Sequence, residues 1–314
     1  MSATVALVRR AASQGLLVWV LVLGVAVQAA ATSEFFFTTP NLSNATGQMV
    51  PLALASMGQM CAILVGAIDL SVGATARVSA LLTAGFINDD PVRILPVVLG
   101  VLVVSALIGA INGAMVVWLR FHPLIATLIT FNLLSGAALA YTTGPVGGIP
   151  SETVAYMHEG FLGLPFPVWV VIVLLVALGT MLTRTRFGRN AFAVGGDAEV
   201  ARRAGVNAGA VRFRMLVLCS MLAGMAGIVL AFRQGIGDPR VAQGLELDSI
   251  VAVVIGGVSI FGGRGTVIGM LGGVVFLNIL RNAMNLQGVD PLLQQVVSGA
   301  LVIIAVALFT RREA

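Results

Sequence analysis

The chain has 314 residues, 58% of them hydrophobic and only 10% charged, with a mean hydropathy of +1.02 and a net charge of +5. Soluble domains carry about 25% charged residues, so the composition excludes a soluble globular protein and describes an integral membrane protein. All 18 basic side chains are Arg; a Walker A phosphate loop requires a Lys, so any ATP dependence must come from a partner.

Apolar runs of about 20 residues recur along the chain, the signature of a helical bundle and not of an alternating barrel. They predict an all-α polytopic membrane protein with about ten transmembrane helices, near 15–32, 47–67, 70–87, 94–118, 122–142, 166–183, 213–232, 242–261, 265–284 and 291–310. The whole of 1–314 reads as one transmembrane domain. The second, third and eighth spans are rich in Gly, which predicts interrupted helices. The first span has a second reading: Arg9 and Arg10, an apolar run, then Ala29, Ala30 and Ala31 also fit a cleavable signal peptide. The run is long for a signal segment, and a whole bundle follows it.

The second and third spans flank "GAIDLSVGAT", residues 66 to 75. Asp69 there is a carboxylate in an apolar stretch, where an acid is costly. With the N-terminus inside, it falls toward the cytoplasmic end or in a broken-helix turn. There it could cap the next helix through the free backbone donors of Ser71, Val72 and Gly73, with the glycines forming the turn. Contact with solute or an inner gate, and pairing with Arg77, are the alternatives. Among the other polar residues in the spans, Gln59, Asn112, Asn132 and Asn278 either hydrogen-bond a solute or pin helices together. Glu246 and Asp248 open the eighth span, where acids suit a helix N-terminus; a role at the outer gate or in receptor contact is the second reading. Paired glycines at 256–257, 262–263 and 272–273 permit close helix approach or a break. Cys61 and Cys219 read as small core residues, and His122 and His158 are too isolated for a metal site.

Thirteen of the 18 Arg fall on one side if the N-terminus is inside; Arg93, Arg233, Arg240 and Arg281 fall on the other. That imbalance predicts N-in, C-in topology. It also explains the basic charge as topology, so no nucleic-acid partner is implied. Polar outer loops follow at 32–47 and 142–165. The large inner loop, 184–214, carries seven Arg and two acids. Within it Asp197 is a good N-cap, Glu199 sits in the first turn and Arg202 and Arg203 in the last, as the helix dipole favours. Gly205 is placed to end the helix. A helix over 198–204 is predicted, with a Glu199–Arg203 i,i+4 pair and a small apolar face of Val200, Ala201 and Ala204. Alone it would be marginal in water, so it is expected to dock, in the manner of a helix in a partner's groove.

Glu199-Val200-Ala201, three residues, then Gly205 resembles the Glu-Ala-Ala-x-x-x-Gly signature of ABC importer permeases, with Val200 replacing an Ala. "FGRNAFAVGGDAEVARRAGV", "GAIDLSVGATARVSALLTAGF" and "GLELDSIVAVVIGGVSIFGGRGTVIGMLGG" resemble, in order, three stretches of the ribose/xylose-type sugar permeases. Two departures are Asp197, where Asn is frequent, and Ser135-Gly136, where an Arg-Gly pair is frequent. The resemblance implies a permease in the cell inner membrane that imports a sugar or polyol and lacks enzymatic activity of its own. It implies a second permease chain in a homodimer, a cytosolic ATPase subunit that binds ATP and Mg, and a periplasmic solute-binding protein. It makes Asp197, Glu199, Val200, Ala201, Arg202, Arg203 and Gly205 the coupling helix. Asp69, Ser71, Asn112, Asn132, Glu246, Asp248 and Asn278 are the candidates for the translocation path or gate. Within the same class the alternatives are branched-chain amino acids or nucleosides; in another class, an ion-coupled secondary transporter, for which Asp69 is the sole candidate ligand. No nucleophile elbow or His/Cys/Asp cluster supports a membrane enzyme.

Overall fold

The computed structural model describes the backbone of residues 3–300 except 162, 291, 295 and 298, and the side chains from residue 18 onward with the same exceptions. The chain is predominantly helical. The helices are α1 (Ala3–Thr32), α2 (Thr39–Leu64), α3 (Val72–Ile87), α4 (Ile94–Val117), α5 (Pro123–Tyr141), α6 (Ser151–His158), α7 (Phe166–Arg184), α8 (Arg186–Gly196), α9 (Ala198–Arg203), α10 (Ala208–Gln234), α11 (Leu245–Ile255) and α12 (Val267–Leu286). A 3-10 turn (Pro91–Arg93) leads into α4, and β1 (Gly160–Phe161) pairs antiparallel with β2 (Leu164–Pro165).

Among the described residues, six helices are long and apolar enough to cross a membrane: α2, α4 with its leading turn, α5, α7, α10 and α12. Two of the expected spans are shorter than a bilayer core. α3 has 16 residues and α11 has 11, about 24 and 16 Å at 1.5 Å per residue, against a core of about 30 Å. The expected tenth span, 291–310, falls largely outside the described residues. The outer loop expected at 32–47 is mostly helical, because α2 starts at Thr39 with Pro40 in its first turn; its Asn, Ser and Thr residues hid it.

α10 runs through the centre, packed against α2, α3 and α4. Small residues allow this. A Cβ at Gly58 of α2 would stand 2.6 Å from the Cys219 carbonyl oxygen of α10, and one at Gly227 of α10 would collide with the Ala76 carbonyl of α3. The two cysteines are core residues, wholly buried and unpaired. At one end of the bundle the Gly263 N–H donates to the Leu64 carbonyl at 3.0 Å and Arg212 Nε donates to the Val65 carbonyl at 3.2 Å; α8 and α9 lie at this end. At the other end Val146 and Gly237 exchange backbone bonds of 2.8 and 3.0 Å, and the Asp89 N–H donates to Gly148.

Candidate functional site

Of the irregular segments in the bundle, two concern the acids singled out in the sequence: one carries Asp69, and the other leads into the helix that bears Glu246 and Asp248. The first is 65–71, between α2 and α3. Gly66, at φ +72°, turns the chain back along α2. Non-helical backbone at membrane depth requires protein partners for its polar groups, and neighbouring side chains supply them. Gln59 of α2, with its amide oriented to make both bonds, donates to the Asp69 carbonyl at 2.9 Å and accepts from the Asp69 N–H at 3.3 Å. Thr127 of α5 accepts from the Leu70 N–H at 3.1 Å and donates to the Ile68 carbonyl at 3.2 Å. Gln59 is therefore a pin for this turn.

Asp69 is wholly buried at the level of Cys219, in the middle third of α10. Its Oδ1 accepts from Ser71 N–H at 2.8 Å and from Ser71 Oγ at 2.6 Å. The chain of bonds continues through Asn112 Nδ2 to Ser71 Oγ, 2.9 Å, and Thr130 Oγ1 to Asn112 Oδ1, 2.6 Å. Three predicted path residues, Asp69, Ser71 and Asn112, thus form one network with Thr130 across α3, α4 and α5. The capping expectation holds only for Ser71: Ser71 occupies the N-cap position of α3 with no side-chain bond of its own to the helix, and Asp69 bonds neither Val72 nor Gly73. The reason is the fold-back, which places Asp69 two residues before the cap. The alternative of an Asp69–Arg77 pair is not formed. Arg77 turns to the Val241 carbonyl, 3.3 Å, and to Ser135 Oγ, 3.3 Å.

The second irregular segment, 235–244, precedes α11. Gly237 lies against Ala80 and Leu81, Val241 against Arg77, and the Ala242 carbonyl against Gly73, so it descends along one face of α3. The predicted eighth span is consequently a short helix, 245–255, with turns on both sides. Glu246, in the first turn of α11, rests over Gly73 with Oε2 buried and unbonded. Asp248 pairs with Arg281 of α12 at 2.5 Å. The remaining two path candidates stand apart: Asn278 donates to the Ala45 carbonyl at 3.1 Å, pinning α12 to α2, and Asn132 is exposed on α5 and bonds its own helix at Leu128.

At the end bearing Leu64 and Gly263, the charged loop forms two helices. α9 is capped as its sequence predicts: Asp197 Oδ1 accepts from the N–H groups of Glu199 and Val200 at 2.8 and 3.0 Å. These bonds hold the Asp197 carboxyl below its ordinary range. The C-terminus is a Schellman motif: Gly205, at φ +83°, donates to Arg202 at 2.9 Å, and the Val206 N–H donates to Ala201 at 3.0 Å. Glu199 pairs with Arg202 at 2.9 Å and Arg203 at 3.4 Å, all three exposed. The expected apolar face divides: Ala201 is buried against the bundle, whereas Val200 is 62% exposed and Ala204 is also exposed. α8 was not foreseen, although Phe187, Ala191 and Val194 have helical spacing and Thr185 caps Gly188 at 3.1 Å. A depressed carboxyl pKa contributes stability that is present above the unfolded value and lost as pH falls through the folded one. The Glu199 and Val200 amides of α9 are therefore expected to exchange hydrogen faster, relative to those of α10, once pH drops below the ordinary Asp value of about 3.9; amide exchange followed by mass spectrometry checks this.

Residues 41–306 match the family model described as branched-chain amino acid transport system / permease component. The chain belongs to this permease family. The permease is 35% identical over 286 residues to the ribose import permease protein of Escherichia coli (strain K12), covering 90% of this chain and 89% of that protein. It is 34% identical to the D-allose transport system permease protein of the same strain, covering 92% and 89%. With the L-arabinose ABC transporter permease protein of Azospirillum brasilense it shares 33% identity, covering 86% and 80%. No solved structure matches the permease.

Proposed function

We propose that the permease is the transmembrane subunit of an ABC importer that moves a small sugar or related polyol inward across the inner membrane. The observation that carries this reading is the match, over about nine tenths of the chain, to permeases named for ribose and D-allose. In this reading the α8–α9 end is cytoplasmic and α9 couples to a partner ATPase that binds ATP and Mg. Asp197 and Gly205 fix its ends; Glu199, Val200, Arg202 and Arg203 face the partner, and Ala201 seats the helix on the bundle. The opposite end receives solute from a periplasmic binding protein, a second permease chain completes the pathway, and about ten crossings bring both termini inside. Asp69, Ser71, Asn112, Glu246 and Asp248 belong to the path or its gates, together with the isolated Asn132 and Asn278. A zwitterionic amino acid would call for a charge pair at mid-depth; the Arg77 guanidinium instead bonds a carbonyl and a hydroxyl.

Proteoliposomes holding the permease with its ATPase and binding protein are expected to accumulate a labelled solute from a panel of pentoses, hexoses and their sugar acids only when ATP is supplied on the ATPase side. Accumulation driven by an ion gradient without ATP would contradict the proposal.

A further inference from the structure

A cavity of about 350 Å³ opens in the half of the bundle remote from α8 and α9. Its polar wall comes from four elements: Gln48 of α2, Arg233 and Gln234 at the end of α10, Gln243 and Asp248 around the start of α11, and Arg281 of α12. The network around Asp69 contributes nothing to it, so it is a second site. Its donors and acceptors are mixed. Pro51 lies inside α2 and has no N–H, so the Gly47 carbonyl lacks its helical donor. That peptide stands beside Arg233: a Cβ on Gly47 would be 3.6 Å from Arg233 Cζ.

The charges do not balance. Asp248 is committed to Arg281 at 2.5 Å. Arg233, partly buried, makes no hydrogen bond or ion pair among the described residues. A guanidinium on a cavity wall with no protein partner has donors free for a ligand, and a planar five-donor fork suits a carboxylate held by two parallel bonds. The amides of Gln48 and Gln243 and the Asp248 carboxylate offer the donors and acceptors that hydroxyl groups need.

We infer that this cavity is a solute-binding vestibule for a small polyhydroxylated acid, a sugar acid and not a neutral sugar, whose carboxylate is held by Arg233. The inference rests on the importer reading for which end faces outward, and it narrows the solute class from polyols in general to acidic ones. The volume accommodates one such molecule of five or six carbons. Arg281, already engaged by Asp248, contributes to the local field, and the net excess of one positive charge is what a single carboxylate would neutralise.

The test uses the full chain in native membrane vesicles. Cys61 and Cys219 are wholly buried, so a Gln234→Cys chain carries one accessible thiol, at the rim of the cavity. A membrane-impermeant maleimide is expected to label it in right-side-out vesicles and not in inverted ones. Gluconate should slow that labelling by about tenfold, and ribose at equal concentration by less than about twofold. Adding Arg233→Gln should reduce gluconate protection to the ribose level, whereas Arg233→Lys, which keeps the charge and loses the fork, should retain only part of it. Equal slowing by both solutes would overturn the acidic class, and slowing by neither would overturn the vestibule itself. Gluconate protection that survives Arg233→Gln would remove Arg233 from the site. Labelling confined to inverted vesicles would place the cavity on the wrong side. None of these readings needs an ATPase or nucleotide, so failure of the importer reading shows separately, in the uptake assay.

Discussion

Gly58→Val is expected to leave no assembled permease in the membrane. Position 58 lies where α2 crosses α10, and the nearest atoms to an added Cβ are all backbone: the Cys219 carbonyl oxygen at 2.6 Å and its carbonyl carbon and Cα at 3.3 Å. No rotamer change can relieve such a clash; the helices must separate. Overpacking a well-filled core ordinarily costs about 1–3 kcal/mol. Here the obstacle is main chain and the contact is central to the bundle, so a loss of at least about 3 kcal/mol is expected, a large share of the stability of a typical domain. Gly179→Val in α7 is the control. Nothing lies within 4 Å of a Cβ there, and its profile should match the parent. Size-exclusion profiles and thermal unfolding of the two variants in detergent decide the matter. A monodisperse Gly58→Val protein with unchanged unfolding temperature would show that the α2–α10 crossing is not as close as described.

The second large effect concerns Asp69. Asp69→Ala removes the acceptor for Ser71 N–H and Ser71 Oγ, and the loss extends to Asn112 and Thr130, which are bonded in series behind Ser71. Leaving buried donors unsatisfied costs about 1–3 kcal/mol each, so Asp69→Ala should be poorly assembled. Asp69→Asn keeps an acceptor at the Oδ1 position and alters only the side of the carboxylate that is unbonded. It should assemble normally and retain uptake if the residue serves to hold the turn. An assembled Asp69→Asn transporter devoid of uptake would assign Asp69 to direct contact with the moving solute or the inner gate. Ser71→Ala offers an independent check, since it breaks the same series of bonds without touching the acid.

Much of this architecture was legible in the residues. Composition alone fixed the class, and long apolar runs placed α4, α5, α7, α10 and α12 to within several residues. α9 was legible in detail because its caps are local: Asp197, Glu199, Arg202, Arg203 and Gly205 each act within one turn of their own position. The irregular segments were not legible. Whether 235–244 is helix or a run of turns is decided by α3, whose small residues and Arg77 accept it along their face. The apolar pattern of 242–261 is equally compatible with a buried helix and with a buried short helix plus a turn. The same applies to side-chain partners. Arg77 and Asp69 are near in sequence, yet the fold-back at Gly66 sends them to different neighbours. Arg233 and Arg281 read as markers of topology; only the meeting of α2, α10, α11 and α12 brings them to one cavity.

The claim that most needs a direct measurement is that α9 is the docking element for the ATPase. Affinity-tagged permease expressed with its ATPase partner should bring that subunit down in comparable amount when the chain is unaltered. Glu199→Arg together with Gly205→Val should reduce the recovered ATPase by about tenfold or more, since one removes the acid that pairs with Arg202 and Arg203 and the other forces a β-branched residue into a left-handed backbone position. The bundle itself should remain intact in the double variant, because both positions lie on the exposed side of the loop. Undiminished recovery of the ATPase with a correctly assembled double variant would contradict the assignment of α9.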